Sequence, residues 1–193
     1  MKRSIFIIHG SYGNPKENWF PWLKKELEQL GNKVFVPQFP IPTEKTPGGH
    51  QLGDWLKKFD EYRKYVDKNT IIVGHSRGAV FCYHLLPTLT KQIDSVFLVG
   101  GWLNYHWTPK GSLMITSFHQ RPFYWDKIKK SALYKEVYQS SNDPDIPIWE
   151  GRDVAKKIGA KCILVKNAGH FNVAIDPTFT KFPLLLANIK KRL

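Results

Sequence analysis

Thr70-Ile71-Ile72-Val73-Gly74-His75-Ser76-Arg77-Gly78-Ala79-Val80 is the stretch on which the reading of this chain turns. Thr70 to Gly74 is expected to be a strand, its β-branched residues stiff at χ1 and suited to burial. From Ala79 onward, Val80, Cys82, Tyr83, Leu85, Leu86 and Leu89 recur at helical spacing, and Pro87 tightens or ends that helix. Between strand and helix lies Gly74-His75-Ser76-Arg77-Gly78, a G-x-S-x-G pentapeptide. Composition alone produces such a pentapeptide in roughly one chain in fifteen of this length. The strand before it and the helix behind it cut the chance reading several-fold, because a serine on so sharp a turn needs small neighbours to hold its strained backbone.

The same alternation extends in both directions, as expected of repeated βα units and a parallel sheet. Upstream, Ser4 to His9 predicts the first strand. Trp19, Phe20, Trp22, Leu23, Leu27 and Leu30 predict a helix that Pro21 can enter only in its first turn and that Gly31 ends. Val34 to Val36 is a second short strand, Pro37 to Gly49 a turn-rich loop, and Gln51 to Val66 a helix. Downstream, Ser95 to Val99 is a strand that runs into Gly100-Gly101, and the pattern is lost from Trp102 to Ser117. A helix around Trp125 to Lys130, a strand from Tyr134 to Gln139, a turn from Ser140 to Pro147 and a helix near Val154 to Ile158 follow. Cys162 to Val165 predicts the last strand, and a final helix starts at about Lys181. The expected fold class is α/β, with a mostly parallel sheet of about six strands flanked by helices.

The chain has 193 residues, of which 42% are hydrophobic and 23% charged, enough for a real core and short of the length of two full domains. One domain over 1–193 is expected. The apolar runs are far shorter than the roughly 20 residues of a membrane span, so no membrane span is expected. Cys82 and Cys162, 80 positions apart, suggest neither a zinc cluster nor a disulfide framework, and a reducing cytoplasmic location fits them. The net charge of +13 invites a nucleic-acid reading. Against it, 23 of the 29 cations are lysines, scattered in pairs such as Lys24-Lys25 and Lys156-Lys157, whereas phosphate and base recognition favours the planar guanidinium. No nucleic-acid partner is expected.

A serine hydroxyl becomes nucleophilic only when a base takes its proton, so Ser76 calls for a histidine further along the chain. His170, in Ala168-Gly169-His170-Phe171, follows the last predicted strand and so emerges at the same sheet edge as Ser76. His9 and His75 lie beside predicted strand ends, close to the site without being the base; His50, His84, His106 and His119 have no comparable position. An acid must orient the imidazole, and Asp143 and Asp145 both qualify on the turn after the preceding strand, with Asp143 favoured because Pro144 biases it toward an extended backbone. Two backbone donors must meet the oxyanion of acyl transfer. One is Arg77, and the other belongs to the loop His9-Gly10-Ser11-Tyr12-Gly13, from Ser11 or Tyr12, where Gly10 lets the backbone approach a substrate. Trp102, at the start of the irregular segment, is a candidate wall for an apolar acyl pocket.

Taken together, Ile8-His9-Gly10, Asn18-Trp19-Phe20-Pro21-Trp22-Leu23-Lys24-Lys25, Gly74-His75-Ser76, Arg121-Pro122-Phe123, Trp125, Asn142-Asp143-Pro144 and Gly169-His170-Phe171 resemble the small YdeN-like serine hydrolases. That family lies within the α/β-hydrolase superfamily and includes a retinoblastoma-binding member. The resemblance covers nearly the whole chain. It implies a minimal α/β-hydrolase fold, a triad of Ser76, Asp143 and His170, and hydrolysis of a small-molecule acyl substrate: a carboxylic ester, thioester or small amide. No metal and no organic cofactor is implied. Arg77 departs from the family pattern, in which a small or apolar residue is expected, so substrate preference does not carry over. Retinoblastoma-protein binding does not carry over either, because the chain has no L-x-C-x-E segment. The rival class is a catalytically silent binding protein on the same fold that acts through its basic surface. Oligomeric state is not set by the sequence.

Overall fold

The computed structural model of the chain describes residues 2–43, 49–103 and 117–193. Most of the irregular segment, with His106 and Trp107, therefore lies outside the described residues. Six strands, β1 (Ser4–Ile8), β2 (Lys33–Phe35), β3 (Ile71–His75), β4 (Ile93–Val99), β5 (Ala132–Ser140) and β6 (Lys161–Val165), form a sheet in the order β2-β1-β3-β4-β5-β6. Every neighbouring pair is parallel. The described helices are α1 (Phe20–Gln29), α2 (Leu52–Asp60), α3 (Arg77–Leu85), α4 (Trp125–Ser131), α5 (Ile148–Ile158) and α6 (Pro183–Lys190). This is the expected α/β class.

The strands that read as unbroken apolar runs are the central ones, because both of their faces are covered. Every residue of β3 and β4 is buried. Alternate side chains divide between two cores. Phe6, Ile8, Ile72, Val96, Leu98 and Val137 pack with α2, α3 and α5 on one face. Ile5, Ile7, Val73, Phe97, Val99 and Tyr138 pack with α1 and α6 on the other. The helices meet these faces with the residues their period predicts: α1 buries Phe20, Leu23 and Leu27, each contributing about 1.5–3 kcal/mol.

Two elements differ from expectation. The segment expected to be helical over Gln51 to Val66 divides into α2 and a short 3-10 turn at Arg63–Tyr65. Helix α5 starts at Ile148, six residues before the expected Val154. Pro147 occupies its N-cap, and Glu150 and Gly151, not apolar residues, cover the buried side of its first turns.

The chain lays β2 on one side of β1 and β3 on the other. In an open parallel sheet, such a reversal leaves a crevice beyond the carboxyl ends of the two central strands, where ligands bind. The loop after β1 carries Gly10 to Gly13, and the turn after β3 carries Ser76. The fold therefore brings together two of the segments singled out in the sequence, 66 positions apart.

Candidate active site

Ser76 lies between β3 and α3 with φ 55° and ψ −121°, a backbone region that costs a non-glycine residue of order 1–3 kcal/mol. The surroundings impose that conformation. The Ser76 amide donates to the Val99 carbonyl at 2.7 Å, and the Ser76 carbonyl accepts from Ala79 at 2.9 Å. The glycines of the pentapeptide are required by close approach rather than flexibility. A β-carbon on Gly74 would stand 2.6 Å from the Gly78 carbonyl oxygen, and one on Gly78 would strike the carbonyls of Ile8 and His9. Helix α3 thus starts directly against β1, which places the amide end of α3 beside the Gly10 loop.

The structure brings Ser76, His170 and Asp143 into one line. Ser76 Oγ is 2.9 Å from His170 Nε2, and His170 Nδ1 donates to Asp143 Oδ2 at 2.8 Å. Asp143 Oδ1 accepts the amides of Asp145 at 2.9 Å and Ile146 at 3.0 Å. Of the two candidate acids, then, Asp143 reaches the imidazole, and Asp145 supports it through its backbone. Among the described residues, Asp143, Asp145 and His170 bring potential metal-ligating atoms within 4.8 Å of one another, but the mutual bond of Asp143 and His170 already uses the imidazole nitrogen that would face such an ion.

Residues not singled out as functional hold these three in place. Ser140 Oγ accepts the amide of Ala168 at 3.0 Å, and Asn142 Oδ1 that of Gly169 at 2.9 Å. These bonds tie the acid-bearing loop to the histidine-bearing loop. His75 Nε2 donates to the His170 carbonyl at 2.9 Å, and Trp19 Nε1 donates to the Phe171 carbonyl at 3.0 Å. Burial pushes the His75 imidazole down to about 3, with His170 adding to the effect, so His75 serves as a neutral donor. His9 is similarly structural: Nδ1 donates to the Gly10 carbonyl at 2.8 Å, and Nε2 accepts the Phe39 amide at 3.0 Å. The available signal was position, since Trp19 and His75 stand in the Asn18-to-Lys25 and Gly74-His75-Ser76 stretches that carried the family resemblance.

A cleft of about 310 Å³ opens over Ser76 and His170. Gly10, Ser11, Tyr12, Trp102 and Asp145 line it, together with Glu17 and Asn172, which stand in no catalytic motif. Gly10 stands so close to the serine that a β-carbon there would lie 3.0 Å from Ser76 Cβ. Trp102, 1% exposed, stacks on His119 with ring centres 5.4 Å apart. The Tyr12 amide donates to His50 Nε2 at 3.3 Å. His50 thus lies beside the site, though not in a position comparable to that of His170. Its imidazole is pushed down to about 4, chiefly by burial and then by the neighbouring Arg77 charge.

Residues 5–191 match the serine hydrolase family. The chain belongs to that family. This serine hydrolase is 32% identical to the hydrolase YdeN of Bacillus subtilis (strain 168) over 189 residues, 96% of this chain and 93% of the relative. It is 29% identical to the serine hydrolase RBBP9 of Rattus norvegicus, over 86% of this chain and 85% of that protein. The crystal structure of the Bacillus subtilis ydeN gene product superposes with a TM-score of 0.88, covering 99% of this chain and 98% of that one at 29% identity. Mouse α/β-hydrolase domain-containing protein 10, at 14% identity and a TM-score of 0.71 over 97% of this chain and 88% of its own, shares the fold alone.

Proposed function

We propose that this serine hydrolase cleaves a carboxylic ester, thioester or small amide through an acyl-enzyme on Ser76. The observation that carries the reading is the 2.9 Å approach of Ser76 Oγ to His170 Nε2, with Asp143 at 2.8 Å on the other ring nitrogen. Ser76 Oγ attacks the substrate carbonyl carbon as His170 Nε2 takes its proton. Asp143 accepts the Nδ1 hydrogen, fixing the tautomer and stabilising the imidazolium. The carbonyl π electrons move to oxygen, and the backbone amides of Arg77 and of the Gly10 to Tyr12 loop receive that charge. Within the loop, the bond from the Tyr12 amide to His50 favours Ser11 as the second donor. His170 returns its proton to the leaving group, and water repeats the sequence to release the acid and regenerate Ser76.

A cleft of about 310 Å³ is at the small end for ligand sites, which supports a short acyl group packed toward Trp102. Among the described residues, no helix is long and apolar enough to cross a membrane. The chain works as a single α/β-hydrolase domain on a small-molecule substrate, with no nucleic-acid partner. The free thiols of Cys82 and Cys162 support a reducing, cytoplasmic setting.

Labelling with a fluorophosphonate, followed by rates on p-nitrophenyl esters of graded chain length, tests the proposal. The expected result is one label on Ser76 and fastest turnover of short acyl chains. A folded protein that takes no label would instead support the binding-protein reading.

A further inference from the structure

The residue after the nucleophile enters the proposed reaction through its backbone amide, a role that asks nothing of its side chain. Arg77 nonetheless carries a guanidinium, and the residue is only 4% exposed. Its Nε donates to Ser11 Oγ at 2.7 Å. The guanidinium carbon lies 5.3 Å from the ring centre of Phe118 and 5.8 Å from that of Trp102. Burial lowers the group to about 10, so it remains a cation at neutral pH. A buried cation carries a desolvation cost, which a charge-assisted hydrogen bond and two ring faces partly offset. Arg77 is not among the described residues that line the cleft.

What the guanidinium does hold is the loop after β1. That loop is closed by Gly13 donating to the Gly10 carbonyl at 3.3 Å and tethered by Gln38 at the Gly13 carbonyl, 3.2 Å, and by His50 at the Tyr12 amide, 3.3 Å. The bond from Arg77 is shorter than all of these and involves a charged donor, and it acts on Ser11 itself. On the reading of Ser76 as nucleophile, we infer that the Arg77 side chain is a positioning residue: by gripping Ser11 Oγ it sets the spacing between the Arg77 and Ser11 amides, so one residue fixes both halves of the oxyanion hole. The oxyanion forms only on the way to the transition state. A loosened hole therefore lowers kcat and leaves KM nearly untouched.

The test uses Arg77→Met, Arg77→Lys, Ser11→Ala and the double variant Arg77→Met/Ser11→Ala. Each is measured for kcat and KM on p-nitrophenyl acetate and for inhibition by an alkyl boronic acid, which mimics the tetrahedral intermediate. Displacing a catalytic group by an ångström costs about a hundredfold, so Arg77→Met and Ser11→Ala are each expected to lower kcat about 10- to 100-fold, with KM changed less than about threefold. Boronic acid affinity should fall in step with kcat/KM, and Arg77→Lys should recover part of both. The double variant should be no more than about twofold slower than Arg77→Met, since both changes remove the same bond. Multiplicative losses in the double variant, losses confined to KM, or an unchanged kcat in folded Ser11→Ala would each overturn the inference. Ser11→Ala removes a single hydroxyl, so it decides the matter even if Arg77→Met fails to fold. Fluorophosphonate labelling of the wild-type protein separates the two levels: no label sinks the hydrolase reading, whereas a labelled wild type with unaffected variants sinks only the role of Arg77.

Discussion

Two buried polar networks hang from strand β5, and they differ in what they leave unfinished. Within the strand, Glu136 is 1% exposed and accepts the hydroxyls of Tyr134 and Tyr138 and, at 3.1 Å, the amide of Asn188 from α6. Asn188 also donates to the Tyr138 hydroxyl at 2.9 Å and accepts from Lys191 at 2.8 Å. That network is closed on itself. Three residues beyond the strand, Asp143 and His170 form a network that ends on the hydroxyl of Ser76, at a strained residue, in the wall of a cleft. Burial and hydrogen bonding are common to both, so neither marks chemistry. An open end and a strained backbone distinguish the second, and the first acts as a fastener between sheet and helix.

The sharpest break of this comparison is at the open end. Ser76→Ala should lower esterase turnover by about five orders of magnitude, while the melting temperature changes by no more than about 2 °C, since one oxygen contributes little packing. Retention of more than about a thousandth of the wild-type rate would remove Ser76 as nucleophile. Next in size, Asp143→Asn should lower turnover by about three to four orders of magnitude, because an amide in place of the carboxylate no longer fixes the useful tautomer of His170. The closed network should respond in the opposite currency. Glu136→Ala leaves two tyrosine hydroxyls without their acceptor and removes one of the two bonds the Asn188 amide donates, and should destabilise the fold by about 2–3 kcal/mol, or roughly 5–10 °C. Turnover per folded molecule should stay within about twofold, and a hundredfold loss there would show that the two networks are coupled.

Acidification sharpens the contrast through His75, which braces the open network from beneath. Its folded-state value of about 3 lies below the 6.5 of the free side chain. Between those values the unfolded chain binds a proton that the folded chain refuses. The contribution of neutral His75 is therefore complete above pH 6.5 and declines as pH falls from 6.5 to about 3. Chemical denaturation at pH 7.5 and 4.5 should show a loss of about 2–3 kcal/mol from this group. In His75→Asn the pH slope should be shallower by that amount, and an unchanged slope would assign the acid lability elsewhere.

How much of this was legible in the sequence depends on what kind of interaction sets each feature. The central strands and the turn at Ser76 were legible because burial on both faces leaves an unbroken apolar run, and crowding at Gly74 and Gly78 leaves no choice of residue. The start of α5 was hidden because its inner face is made by Glu150 and by Gly151, where a β-carbon would lie 2.7 Å from Gln139 Oε1. The gap between α2 and the 3-10 turn was hidden for the opposite reason: Phe59, Tyr62 and Tyr65 continue a helical spacing across it. His50 and the Arg77 side chain were invisible as parts of the site, since each acts across a long sequence separation, on Tyr12 and on Ser11. Periodicity carries no information about such contacts.

The smallest expected effect concerns the pair that the sequence could not separate. Asp143 and Asp145 stand two positions apart, and both approach His170 closely enough that oxygens of the two carboxylates and a nitrogen of the imidazole fall within 4.8 Å of one another. They differ in what each offers. Asp143 gives its carboxylate to His170 Nδ1, while Asp145 gives its backbone amide to Asp143 Oδ1 and turns its side chain to the cleft. Asparagine at 145 keeps that backbone amide and removes only a charge near the imidazolium, which partial solvent exposure screens. Asp145→Asn should therefore cost less than about tenfold in turnover of a neutral p-nitrophenyl ester. The double variant Asp143→Asn/Asp145→Asn adds a second reading: if Asp145 is a bystander, it should be no more than about tenfold slower than Asp143→Asn alone. A much deeper loss in the double variant would mean that the Asp145 carboxylate takes over when Asp143 is neutralised, and the reverse ranking of the single variants would move the acid to Asp145.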